Sequence, residues 1–171
     1  MLKIIRDLRG LSISQLFKVY HETIVHEGQE RYPDLQQSLQ IIQAEQDFYA
    51  YLKLFFRDPQ SFYAIWETEN AYKAALRIEP YKDGVIVSAL ETAPEARRRG
   101  YACSLLRETI AYLRQQGIKV VYSHINKNNI ASLRTHKRCG FTVCMDHAAY
   151  LDGSVFTDAC TVCLNLIEKT T

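Results

Sequence analysis

VIVSALETAPEARRRGYACSLLRETIAYLRQQG, residues 85–117, reads as a strand running through a short turn into a helix. Val85 to Thr92 is an apolar run, broken by Ala93, Pro94 and Glu95. Arg97, Arg98 and Arg99 then open directly into Gly100, Tyr101 and Ala102. Ala102, Leu105, Leu106, Ile110 and Leu113 fall at i, i+3, i+4, i+8 and i+11, one face of an amphipathic helix. The first N–H groups of a helix have no internal acceptor, and the aligned peptide dipoles leave positive charge there, so such a junction suits phosphate. Gly100 lets the backbone come close, Ala102 is small, and the arginine forks match a pyrophosphate or ribose phosphate. A nucleotide-like polyanion is the expected ligand, although three arginines on a loop also fit a solvated charge run.

A second constellation lies one strand downstream. Ile118 to Asn126 alternates as a strand, and residues 129–141 follow as a short helix. Asn128 or Asn129 is placed to cap it, and Gly140 to stop it in the left-handed conformation. Here the chain resembles the GNAT superfamily of acyl-CoA N-acyltransferases. The arginine turn matches the family's R/Q-x-x-G-x-G/A acetyl-CoA motif at Arg97, Gly100 and Ala102. The later helix matches N-x-x-S/A-(x)3-Y/H-(x)3-G-F at Asn129, Ser132, His136, Gly140 and Phe141. Two motifs in the right order are far more specific than either alone.

The resemblance implies an α+β fold: a mixed, mostly antiparallel sheet with helices on both faces, splayed between the fourth and fifth strands, here those ending near Thr92 and Asn126. It implies acetyl-CoA as acetyl donor, no metal, and direct transfer of the acetyl group to a primary amine without a covalent enzyme intermediate. Cofactor contacts are expected from Thr92, Arg97, Arg98, Arg99, Gly100, Tyr101, Ala102, Asn129, Ser132 and His136. A backbone N–H near Thr92 is the expected oxyanion donor, at a position where most relatives carry an aliphatic residue. The alternative from another class is a GNAT-like regulatory module that binds acetyl-CoA without turning it over.

The two catalytic candidates are Glu91 and His136. Glu91 ends the splayed strand, where partial burial would raise its pKa into the range useful for a general base. Strict strand alternation, without a bulge, turns it away from the substrate, where it would simply pair with a basic residue. His136 stands where many relatives place the tyrosine that protonates the departing thiolate, and shares a helix face with Asn129 and Ser132. A charged ring would donate that proton; a neutral one would only line the cleft. His124 reads as a satisfied core histidine. His21, Glu22, His26, Glu27 and Glu30 fall on or after the first helix, which caps the acceptor site in this family; its acidic residues suit a cationic amine or form a solvated face.

The flanks supply the remaining elements. Met1 to Arg6 reads as a strand. Ser12 to Gln15 has capping-box form, opening a helix with Ile13, Leu16, Phe17, Tyr20 and Ile24 on one face and ending near Gly28. A longer helix restarts after Pro33 and Asp34 and runs to about Phe56, with Leu39, Ile42, Tyr49, Leu52 and Phe56 inward. The period then changes to two, and residues 62–93 read as an antiparallel meander. Residues 141–147 and 155–166 supply two last strands, the second carrying Phe156, Cys160, Val162, Leu164 and Leu166 on one face.

The 171 residues suit one domain, 1–171, and 47% hydrophobic with 23% charged residues are globular proportions. A net charge of +2 argues against a nucleic-acid binder. No apolar stretch reaches membrane-spanning length, and the N-terminal residues lack the apolar core of a signal peptide, so a cytoplasmic protein is expected. Five cysteines, an odd number, make a disulfide framework unexpected in that compartment. Cys160 and Cys163 have zinc-like spacing but lie in a strand, without a second pair. The expected partner is a small-molecule, peptide or protein amine, with a homodimer allowed.

Overall fold

Three pairs of residues at one end of two neighbouring strands determine the architecture. In the computed structural model, which describes residues 1–167, β4 (Gly84–Thr92) and β5 (Val120–Asn126) run parallel. They pair only at Val85–Val121, Ile86–Tyr122 and Val87–Ser123. Beyond that point each strand keeps its outer partner and loses its inner one. β4 stays on β3 (Ala71–Tyr81) through Thr92, and β5 stays on β9 (Ala159–Asn165) through Asn126. The gap between them is the expected splay.

The cause is a bulge. Arg77 of β3 faces Ser88 and Ala75 faces Glu91, so three residue steps on β4 oppose two on β3. Ala89 takes up the extra residue at φ +49°, in the left-handed region where a side chain costs about 1 kcal/mol. Its carbonyl accepts a hydrogen bond of 2.7 Å from the buried Tyr20 hydroxyl, which fixes the bulge from the opposite layer.

The seven-stranded sheet has the order β1-β2-β3-β4-β5-β9-β6, with β1 (Leu2–Ile5), β2 (Phe62–Thr68) and β6 (Thr142–Met145). The strand β5 enters the sheet tightly beside Gly84, where a Cβ would sit 2.0 Å from the Val120 carbonyl oxygen. One face carries Ala74, Leu76, Ile78, Val87 and Val121 against Leu105, Leu106, Ile110 and Leu113 of α4 (Tyr101–Gln115). The other carries Tyr63, Ile65 and Ala75 against α1 (Ile13–Val19), α2 (His21–Arg31) and α3 (Gln37–Phe55). The remaining helix, α5 (Ile130–Arg138), lies beyond β5 and contacts α4. Among the described residues no helix is long and apolar enough to cross a membrane. Residues 168–171, the end of the expected 1–171 domain, lie outside the described residues.

The flanks depart from expectation in four places. The first helix breaks at Tyr20 and ends at Arg31, not near Gly28. The capping box does not form, because the Gln15 side chain accepts the Tyr72 N–H of β3 at 2.8 Å instead. α3 presents Gln40, Ala44, Leu52 and Phe55 inward and leaves Leu39 and Ile42 about half exposed (49% and 50%). Gly28 explains that rotation: a Cβ there would sit 2.7 Å from the Gln40 carbonyl oxygen, so α2 and α3 meet backbone to backbone and this contact selects the buried face. Finally, Phe156 is not on the last strand. It belongs to a separate hairpin of β7 (Ala148–Ala149) and β8 (Val155–Phe156) and is half exposed.

Candidate active site

The splay opens into a cleft of about 1460 Å³, larger than the roughly 300–1,000 Å³ of ordinary small-molecule pockets and so roomy enough for a long ligand and a second substrate together. One half is built on the N-termini of α4 and α5, the other on β3, β4, the end of β5 and the α1–α3 layer.

In the first half, Pro94–Ala96 forms a turn of 3-10 helix and the loop then reaches Gly100 at φ +82°. No side chain caps α4, and the first internal bond is Ser104 N–H to the Gly100 carbonyl at 3.0 Å. The amides of Tyr101, Ala102 and Cys103 are therefore the orphan donors of this helix. A Cβ on Gly100 would meet nothing within 4 Å, so the helix start is open at that residue. On α5, the Asn129 side chain accepts the Ser132 N–H at 3.0 Å, and Gly140 adopts φ +93° just past the helix end. Arg98, Arg134 and Arg138 line this half of the cleft.

The three arginines of the turn have different surroundings. Arg97 lines the cleft and is held by an acid of another element. Both its terminal nitrogens bind the Glu22 carboxylate of α2 at 2.9 and 2.6 Å, and its Nε lies 3.4 Å from the Thr92 carbonyl. The pair raises the Arg97 pKa and lowers that of Glu22. Arg99 is exposed and lies outside the cleft lining. Arg134 and Arg138 carry the positive charge there instead; their i,i+4 spacing on α5 is the signal that would have found them.

His136 is buried, 2% exposed, edge-on to Phe141 at 5.1 Å. Its Nδ1 lies 2.9 Å from the Ser132 carbonyl oxygen, which only accepts, so Nδ1 carries the hydrogen and Nε2 presents a lone pair. Nε2 is buried without a partner, and burial lowers the ring's pKa. The resting histidine is thus neutral at neutral pH, with no proton on the free nitrogen.

In the second half, the bulge decides the orientation of Glu91. Paired with Ala75, its side chain shares the α1–α3 face with Arg77 and Glu79 and lines the cleft. Oε1 accepts the Thr23 hydroxyl of α2 at 2.6 Å. Burial pushes the Glu91 pKa up, while the Thr23 hydrogen bond and Arg97 pull it partly back. Ala93 N–H binds the Lys73 carbonyl on β3 at 3.0 Å, so strand alternation turns the Thr92 N–H to the other edge, facing the gap.

His124 is not a satisfied core histidine. It is half-buried, lines the cleft, and has no partner at either ring nitrogen. Tyr81 and Tyr150 meet it edge to face at 5.4 and 4.7 Å, and burial, followed by the charge of Lys82, lowers its pKa. Tyr51, Arg77, Ser88 and Tyr150 complete this half. Period-two alternation would have put Arg77 and Glu79 on the Glu91 side of the sheet had the bulge been known; nothing in the sequence marks Tyr150. Cys103 and Cys139 lie with their sulfurs 3.5 Å apart where α4 meets α5, and burial with the neighbouring thiol pushes Cys139 up to about 12.

The model of the Acetyltransferase (GNAT) family matches residues 20–141. Over 57 residues the chain is 35% identical to GCN5-related N-acetyltransferase 6, chloroplastic, of Arabidopsis thaliana. That stretch covers 33% of this chain and 20% of the plant protein, so the chain spans about a fifth of that relative. The fold matches that of an N-acetyltransferase from Staphylococcus aureus Mu50 with a TM-score of 0.65 and 15% identity, over 98% of this chain and 99% of that one. It also matches the PaiA N-acetyltransferase of Thermoplasma acidophilum, solved with coenzyme A, with a TM-score of 0.62 and 14% identity, over 96% and 99%.

Proposed function

Since the chain belongs to the GNAT acetyltransferase family, we propose that it moves an acetyl group from acetyl-CoA to a primary amine by direct transfer. The observation that carries this reading is the meeting of two unlike surfaces in one cleft: orphan amides and arginines on one side, and Glu91 with the Thr92 N–H on the other. The residues fit the donor, because the open space at Gly100 brings phosphates against the first-turn amides of α4. Acetyl-CoA supplies the acetyl group as an activated thioester.

Arg98, Arg134 and Arg138 neutralise phosphate charge at the cleft wall. The unpaired edges of β4 and β5 offer backbone partners to the amide-bearing arm of the donor. Glu91, ionised above its raised pKa, takes a proton from the incoming amine directly or through a water. The amine nitrogen bonds to the acetyl carbon as the carbon–sulfur bond breaks and its electron pair leaves with sulfur. The Thr92 N–H faces the negative charge that develops on the acetyl oxygen. The five cysteines are all free thiols, which suits the reducing cytoplasm we assign as compartment.

Thiol release from acetyl-CoA, followed across amines, amino acids and peptides, tests the reading: acceptor-dependent release supports it. The second reading, a module that binds acetyl-CoA without turnover, is favoured by one observation, the neutral buried ring of His136 where many relatives carry a proton donor. Tight binding of acetyl-CoA without release over the whole panel would establish that second reading.

A further inference from the structure

Arg77 is a cation with no direct ion pair among the described residues. It lies on β3 in the acceptor half of the cleft, partly buried, and no carboxylate comes within 4.0 Å of it among the described residues. Its Nε is buried without a hydrogen-bond partner, and its guanidinium carbon stands 4.8 Å from the ring centroid of Tyr51. The residue opposite on β2, Tyr63, is fully buried with its hydroxyl also unpartnered. Burying a charge is costly unless it is paired, and stacking on an aromatic face offsets only part of that cost.

The nearest carboxylates along the strand act on Arg77 through their charge but do not pair with it directly, and each accepts a hydroxyl instead. Glu79, two residues on, accepts the Ser88 hydroxyl at 2.9 Å. Glu91, opposite Ala75 two residues back, accepts the Thr23 hydroxyl at 2.6 Å. Arg77 is left with a planar fork of donors facing a cleft, and such a fork matches a carboxylate with two parallel hydrogen bonds.

We propose that Arg77 binds a carboxylate carried by the acceptor itself, so that the amine acetylated here belongs to an amino acid or a close zwitterionic analogue. This rests on the transferase reading above. The register supports the pairing. Arg77 and Glu91, which pairs with Ala75, are diagonal neighbours on the same face, so the two side chains start roughly 7–8 Å apart. That separation lets the amine of a zwitterion face Glu91 while its carboxylate meets Arg77. An all-cationic acceptor such as a polyamine would leave Arg77 unpaired and be repelled by it. Glu22, the α2 acid that lines the cleft, does not provide a rival cation site, because it is paired with Arg97.

The test is kcat/KM for thiol release with the free amino acids and their carboxamides, each taken at its pH-independent value so that amine basicity drops out. Wild-type protein should prefer the acids by about ten- to a hundredfold, the range of a hydrogen bond to a charged group, mostly through KM. Arg77→Met should erase that preference and Arg77→Lys should keep part of it, both with unchanged acetyl-CoA affinity by calorimetry. The wild-type comparison needs no variant and stands even if Arg77→Met fails to fold. Equal use of acids and carboxamides, or turnover of amines lacking a carboxylate alone, would overturn the assignment and leave the transferase reading intact. No release with any acceptor would remove both.

Discussion

The two halves of the cleft are built by different means. The donor half is made of backbone: the first-turn amides of α4, the left-handed Gly100, and a capped α5. The acceptor half is made of side chains from separated elements: Thr23 on α2, Tyr51 on α3, Arg77 on β3, Glu91 on β4, His124 on β5 and Tyr150 after the β7 strand. A backbone site needs a local turn and tolerates changes around it. A side-chain site needs the whole fold to be in place. The first therefore suits a ligand common to a family, and the second suits one that varies.

The sharpest way to break this contrast is Glu91→Gln. Loss of a general base should lower kcat by about 10²- to 10⁴-fold. Acetyl-CoA affinity by calorimetry should stay at the wild-type value, because Glu91 belongs to the other half. A matching loss of affinity would mean that the halves are not separable.

Gly100→Val is the complementary break. At φ +82° a β-branched residue is strained, and its side chain would project into the open space at that residue. We expect acetyl-CoA affinity to fall by about tenfold or more, the loss of one or two charge-assisted hydrogen bonds. Unchanged affinity would move the phosphate site away from α4.

The smallest effect is expected at His136. Because its neutral ring donates only to Ser132, His136→Phe should leave kcat within about threefold of wild type, less than the 10²-fold typical of a lost proton donor. A drop of 10²-fold that His136→Tyr restores would show that the ring moves and protonates the leaving sulfur during turnover.

The same contrast explains how much could be read from the sequence. Gly100, the Asn129 cap and Gly140 are local devices, and their positions follow from contiguous residues. The strand order up to Thr92 follows from periodicity in the same way. The acceptor half was hidden because its determinants are tertiary. Nothing in VIVSALET marks Ala89 as a bulge; the Tyr20 hydroxyl, distant in sequence, holds it there. With strict alternation, Glu91 would turn away. The Arg97–Glu22 pair is not legible either, because Glu22 comes from another element. The buried face of α3 is not legible in its apolar stripe on Leu39, Ile42 and Tyr49, because the close approach that Gly28 permits turns a different face inward.

The central claim is that Glu91 works as the base of the acceptor half under the control of its burial and of Thr23. It is tested most directly by kcat/KM against pH, at saturating acetyl-CoA, for wild type and Thr23→Val. Burial raises the Glu91 pKa, so activity should fall as the pH drops through a value above the ordinary one for a glutamate. The Thr23 hydroxyl donates to the ionised carboxylate and favours it, so removing the hydroxyl should move that acid limb to still higher pH. An acid limb that stays in place in Thr23→Val, and persists in Glu91→Gln, would contradict the account.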